Sequence, residues 1–208
     1  MNRTNASNPD ALLRSAQQGD PNALGKLLAR YHEYLRLLAR MEIDRRLQGK
    51  VDPSDLFQET FMDAPRDFRQ FRGNSEPELA QWLRQIMANK AAMLMRRYHG
   101  SQKRDVRLER ELQDEFNSSS QAIGSVLADS GTSPSMRAAR REEAVLLANA
   151  LGRLPADYRE VMILHHLQGK SMDEVALVMG RSLDSVRKLR SRAIIKLRST
   201  LRDETNES

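Results

Sequence analysis

Apolar residues recur along the chain at intervals of three and four, and no stretch alternates as a strand would, so the pattern predicts helices almost throughout. Helix starts are well marked. Asp20-Pro21 and Asp52-Pro53 each set a capping side chain ahead of a proline, whose missing N–H costs nothing in a first turn. Ser75 with Glu78, and Ser171 with Glu174, have capping-box spacing. Gly180 followed by Arg181-Ser182 ends one helix and caps the next. Pro65 falls inside a helical pattern, where it costs about 3 kcal/mol or forces a break.

These signals divide the chain into an all-α protein of two small helical domains joined by a flexible linker. The first domain is expected over 10–98, after a disordered 1–9. Residues 99–135 are polar and include runs such as Asn117-Ser118-Ser119-Ser120 and Asp129-Ser130-Gly131-Thr132. The charge-dense part, Lys103 to Glu115, reads as a solvated helix and the remainder as linker. A second domain is expected over 136–202, followed by a tail, 203–208.

The strongest local signal lies between Leu154 and Leu201. A helix opens at Pro155 and is broken by Gly169, a short one spans Met172 to Met179, and a long one starts near Leu183. Two helices joined by a tight Gly-containing turn, the second long and basic, describe a helix-turn-helix. Val186, Leu189, Ala193, Leu197 and Leu201 form one apolar stripe of the long helix. Ser185, Lys188, Ser191 and Arg192 point largely away from it. Between Asp184 and Arg202 there are seven basic residues and one acid. Such a helix can enter a major groove, with its N-terminal half at base edges and its flanking cations on phosphates.

Charge and composition narrow the choice further. Thirty-four Lys and Arg against 28 Asp and Glu, in 208 residues, give a net charge of +6, which suits a polyanionic partner. The absence of cysteine rules out disulfides, thiolate metal sites and cysteine nucleophiles. With no signal-peptide core and no long apolar run, a cytoplasmic protein without membrane insertion is expected. No phosphate-binding glycine loop, serine elbow or metal-ligand spacing occurs, so no enzyme, catalytic residue, metal or cofactor is expected. His32, His99, His165 and His166 have no obvious partners, and helix neighbours such as His165 and His166 do not share a face.

The N-terminal half carries a second constellation. Asp55, Gln58 and Glu59 form a polar cluster at a helix start, beside Leu56, Phe57 and Phe61, which can pack. Phe68-Arg69-Gln70-Phe71-Arg72-Gly73 is aromatic and basic, and Leu79 to Arg104 holds six basic residues and no acid. Aromatics beside cations suit a surface that stacks unpaired bases and holds a strand's phosphates. Trp82 and Phe61 read as core residues first, because large aromatics mainly pack.

The run Asp55-Leu56-Phe57-Gln58-Glu59-Thr60-Phe61, then Phe71-Arg72-Gly73, Trp82-Leu83-Arg84-Gln85-Ile86 and Arg96-Arg97, resembles the second conserved domain of RNA polymerase sigma factors. The match is to the extracytoplasmic-function group. Leu154-Pro155, Tyr158-Arg159, Gly169-Lys170-Ser171, Glu174-Val175-Ala176 and Val186-Arg187 look like that group's fourth domain. Met41 to Val51 is longer than usual for the group, and Leu189 stands where many relatives carry a cation.

The resemblance implies partners and roles. Asp55, Leu56, Gln58 and Glu59 would dock on core RNA polymerase. Phe71, Arg72, Asn74 and Ser75 would capture a flipped base of the minus-ten promoter element. Arg84, Asn89, Lys90, Arg96 and Arg97 would read and hold that element, and Ser185, Arg187, Lys188, Ser191 and Arg192 would contact the minus-thirty-five element. The linker would thread the polymerase toward its RNA exit path, and an anti-sigma factor is a further candidate partner. The alternatives are a helix-turn-helix regulator that binds duplex DNA without polymerase, and an interaction protein whose basic helix is a solvated face.

Overall fold

In the computed structural model of this protein the described backbone comprises residues 8–46, 52–98, 106–126 and 136–207, and its regular structure is helical. In order these are α1 (Pro9–Gln17), α2 (Pro21–Arg30), α3 (His32–Arg46), α4 (Pro53–Asp67), α5 (Glu76–Tyr98), α6 (Val106–Ser125), α7 (Met136–Gly152), α8 (Ala156–Met162), α9 (Met172–Met179) and α10 (Leu183–Glu207). A 3-10 turn, Phe68–Gln70, follows α4, and a π-helical turn, Ile163–Leu167, follows α8. The chain divides into two compact units, residues 1–121 and 122–208.

The capping chemistry largely follows the sequence. The Asp20 carboxylate accepts from the N–H groups of Asn22 and Ala23, and Asp52 from that of Ser54. Asn8 does the same for α1, accepting from the Asp10 N–H at 2.9 Å. Ser171 and Glu174 complete both arms of a capping box. The Ser171 hydroxyl and N–H together hold the exposed Glu174 carboxyl below its usual range. Gly180 closes α9 at φ 61°, the left-handed region a side chain would resist. Ser75 behaves differently, since its hydroxyl donates to Glu78 rather than capping the backbone.

Helix α4 runs through Pro65 to Asp67 instead of breaking there. The proline sits in the final turn, where one ladder bond is lost, and the chain then tightens into the 3-10 turn.

Unit 1 is built around Leu13, Leu27, Tyr31, Tyr34, Leu35, Leu38, Leu56, Leu79, Leu83 and Met87, all fully buried. The same core takes in Leu112 and Phe116 of α6. Polar contacts add to this. Tyr34 donates to the Ser120 hydroxyl at 2.8 Å and accepts from Arg84 Nη1 at 2.7 Å. Arg84 Nε donates to Asn117 Oδ1 at 2.8 Å, Ser119 donates to the buried Glu42, and Arg96 pairs with Glu109 at 3.2 Å. The expectation of a solvated helix and linker is therefore corrected for Val106 to Gln121, which is docked on α3 and α5. Residues 99–105 and 127–135 of the expected linker lie outside the described residues, as do 1–7.

The loop after the 3-10 turn is fixed from several sides. Gln17 of α1 donates to the Gly73 carbonyl at 2.7 Å, and the Glu78 carboxylate accepts from the N–H groups of Asn74 and Ser75. A Cβ on Gly73 would lie 2.8 Å from Glu78 Cβ and overlap the Phe71 ring. Gly73→Ala is thus expected to destabilise unit 1 by about 1–3 kcal/mol through overpacking, read as a lower urea midpoint.

In unit 2, α10 packs on α7, α8 and α9. Arg159 ties α8 to the end of α7, donating to the carbonyls of Leu151, Gly152 and Leu154. Arg181 pairs with Asp157 across the turn. Helical backbone continues to Glu207, so the expected tail extends α10.

Candidate nucleic-acid interface and docking face

In unit 2 the short capped α9, the turn at 180–182 and α10 form the helix-turn-helix. The Ser182 hydroxyl caps α10 by accepting from the Ser185 N–H at 3.3 Å. Val186, Ala193 and Leu197 are buried, while Leu189 and Leu201 are half-buried, so the expected stripe is the packing face. Arg187, Lys188, Ser191 and Arg192 are exposed, and Ser185 is half-buried at the helix start. The Lys188–Asp184 pair, 2.7 Å apart on an exposed helix face, costs little to break. Arg190 differs from its neighbours: its guanidinium turns inward to His165.

In unit 1, α4 buries Leu56, Thr60 and Ala64. Leu56 is 0% exposed, so the structure removes it from the expected docking set: one helix position away from Asp55 is already the core face. Asp55 and Gln58 are exposed and Glu59 is half-buried. Met62, one further turn along, is 62% exposed and completes this face together with exposed Pro65. Sequence reasoning passed over Met62 because methionine at helical spacing usually means core. Beside the face, His32 meets Phe57 and Phe61 edge-on, at centroid distances of 4.8 and 5.8 Å.

Helix α5 exposes a stripe of one residue in four: Gln81, Gln85, Asn89, Met93 and Arg97. Asn89 and Arg97 were expected there; Gln81, Gln85 and Met93 were not. Gln85 donates to Asn89 at 3.0 Å, so the two amides lie side by side. Arg84 is 2% exposed and is bound within the α3–α5–α6 core, which corrects its expected role on DNA. Lys90 is half-buried against Asp63 of α4, and Arg96 against Glu109 of α6.

Phe71 is likewise corrected. Its ring is 7% exposed, lying 5.7 Å from Phe68 and 5.4 Å from Trp82, and is packed rather than presented to a base. Arg72 and Asn74 are the exposed side chains of this loop; Ser75 is half-buried and bound to Glu78. Arg72 Nη1 donates to the Arg69 carbonyl at 2.8 Å, which holds its guanidinium at the loop surface.

Among the described residues no group of three or more His, Asp or Glu is placed to hold a metal, and no helix is long and apolar enough to cross a membrane.

The geometry defines a helix-turn-helix protein with a second, all-helical unit. Residues 144–197 match the family "Sigma-70, region 4", and residues 10–72 match "Helix-turn-helix domain". The RNA polymerase sigma factor NccH of Alcaligenes xylosoxydans xylosoxydans is 28% identical over 95% of this chain and 97% of that protein. The ECF RNA polymerase sigma-E factor of Haemophilus influenzae is 28% identical over 85% of this chain and 86% of its own length. A solved structure of CnrH in complex with the cytosolic domain of CnrY is 25% identical, covers 94% of this chain and 97% of that one, and superposes with a TM-score of 0.32. Over most of its length the chain is thus similar to RNA polymerase sigma factors, one of them of the ECF group, and residues 144–197 match their region 4.

Proposed function

We propose that this protein docks on core RNA polymerase through α4 and directs promoter-specific initiation through α5 and α10. The docking face is Asp55, Gln58 and Glu59, with Met62 as its apolar centre. The minus-ten element lies along the α5 stripe, where Gln81, Gln85 and Asn89 meet base edges and Arg97 a phosphate, next to Arg72, Asn74 and Ser75 of the loop. Lys90 and Arg96 add positive charge beside this stripe from within their ion pairs. The minus-thirty-five element is read by Arg187, Lys188, Ser191 and Arg192, with Ser185 at the helix start.

The work done is binding and strand separation in the cytoplasm; the bond-making chemistry belongs to the polymerase. An anti-sigma factor that covered the α4 face would control the protein by exclusion. The two expected domains serve as the minus-ten and minus-thirty-five modules of this reading.

The exposed cationic half of α10 carries the proposal, because a capped short helix, a tight turn and a basic reading helix coincide there. Arg192→Ala is expected to weaken use of the upstream element by about 1–3 kcal/mol, measured as transcription from promoters that differ only in that element. Equal loss on every sequence would mark a phosphate contact instead. A Gln58→Ala, Glu59→Ala double variant is expected to weaken holoenzyme assembly by about 1 kcal/mol or more, roughly fivefold in Kd. Unchanged assembly would remove α4 from the docking surface.

A further inference from the structure

The adjacent histidines, which simple helical spacing leaves apart, meet in the π-helical turn Ile163–Leu167. The wider turn brings their rings edge to face with centroids 4.8 Å apart. His165 Nδ1 lies 2.8 Å from the Lys170 carbonyl oxygen. A carbonyl only accepts, so Nδ1 carries the proton and Nε2 is left as an acceptor. That Nε2 lies 3.3 Å from Nη1 of Arg190, a group that only donates. Both contacts are thus met by one and the same tautomer. Beside them, His166 Nε2 and Arg190 Nε are shielded from solvent without a hydrogen-bond partner.

The charged groups that act on His166 are His165 and Arg190. His166 takes up a proton less readily than an ordinary histidine, first because it is half-buried, then because of His165 and Arg190. On the neighbouring elements, Arg159 of α8 is bound to the carbonyls of Leu151, Gly152 and Leu154, Asp157 pairs with Arg181, and Glu174 of α9 holds Ser171. Glu160 of α8, Asp173 of α9 and the Lys170 ammonium are not among the charges that shift His166. Of α10's cations, Arg190 is the one that faces the imidazoles.

We propose that His165, backed by His166, is a proton-sensitive positioning residue for α10, tying the loop carbonyl of Lys170 to Arg190 of the reading helix. Uncharged, His165 links the two. Protonated, it turns a second N–H toward the guanidinium, so donor meets donor and cation meets cation. A proton on His166 places a further charge beside the same Arg190. The folded state thus resists protonation of His166 more than the unfolded chain does. The stability it contributes is present above the ordinary histidine value of 6.5 and is lost as pH falls below it. In function the expectation is acid-weakened use of the upstream element, which rests on the reading of α10 given above.

The test follows the full-length protein by NMR, with labelled histidine rings, from about pH 8 to about pH 5. In the wild type the amides of residues 187–192 are expected to shift together with the His165 and His166 rings. In a His165→Gln, His166→Gln variant that response disappears, because a glutamine amide can donate to the Lys170 carbonyl and accept from Arg190 without titrating. In holoenzyme, wild-type preference for promoters bearing the upstream element is expected to fall about fivefold over this range, and the double variant's to stay level. His165→Ala is expected to weaken that preference at neutral pH, with His165→Gln restoring it. Rings and amides that titrate independently, or a double variant with the wild-type pH response, would overturn the relay. Coupled titration without upstream preference at any pH would support the relay and count against the promoter reading.

Discussion

Phe116→Ala is expected to lower the unfolding free energy of unit 1 by about 3–5 kcal/mol, a fall in Tm of roughly 10–20 °C or more. Phe116 has no solvent exposure, and Leu112, one turn earlier on α6, is 1% exposed. The opposite side of the helix carries Arg107, Arg110, Glu111 and Asp114, all exposed. Truncating the ring leaves a cavity that the neighbouring helices close only in part, since α6 is also pinned by Asn117, Ser119 and Ser120. Thermal and urea unfolding of the full-length variant measure the effect. A change within about 0.5 kcal/mol, the size ordinary for an exposed position, would return α6 to the status of a linker.

Arg84→Ala is expected to cost unit 1 about 2–4 kcal/mol. Its guanidinium reaches both Tyr34 and Asn117 from a position that is 2% exposed. Removing it leaves the Asn117 carbonyl oxygen without that donor, at about 1–3 kcal/mol, and adds a cavity the size of the lost stem. Tyr34 suffers less, because its hydroxyl still donates to Ser120. Arg84→Met would fill the space without the hydrogen bonds and should recover part of the loss. A surface contact to a DNA strand would behave in the opposite way, leaving stability unchanged and weakening promoter opening alone. Urea midpoints of the two variants, measured without DNA or polymerase, separate these readings.

Local chemistry was the legible part of the fold. Asp20, Asp52 and Ser171 announce helix starts because capping is settled within three or four residues, and Met172 to Met179 is bounded by a cap and a glycine. The α10 stripe could be read because it repeats over five positions on one helix. What could not be read depends on neighbours distant in sequence. Residues 106–121 look polar because serines, Asn117 and charged groups dominate them, yet their few apolar positions, Leu112 and Phe116, share a face that α3 and α5 complete. Arg84 looked like a strand contact because nothing nearby in sequence reveals Tyr34 as its partner, and Phe71 because Trp82 and Phe68 enclose its ring only once the helices are packed. Leu56 was assigned by its motif, although the helical period puts it on the buried side. The π-turn at 163–167 leaves no periodic trace, which is why His165 and His166 looked unpartnered.

The two units supply different physical resources. Unit 2 offers a rigid cationic helix, suited to an intact groove. Unit 1 offers a stripe of amides ending in Arg97 and a braced loop bearing Arg72 and Asn74, suited to a strand whose bases are already separating. In the proposed reading each surface needs duplex DNA held and opened in the right register, which is what a polymerase core would add.

Run-off transcription with purified, matched bacterial core polymerase on a genomic fragment library tests the central claim most directly. Transcripts that start at new, shared promoter elements only when this protein is added are the predicted result. An active core that yields no new transcripts, while the protein alone binds duplex DNA tightly and specifically, would contradict the account and mark a regulator that works without holoenzyme formation.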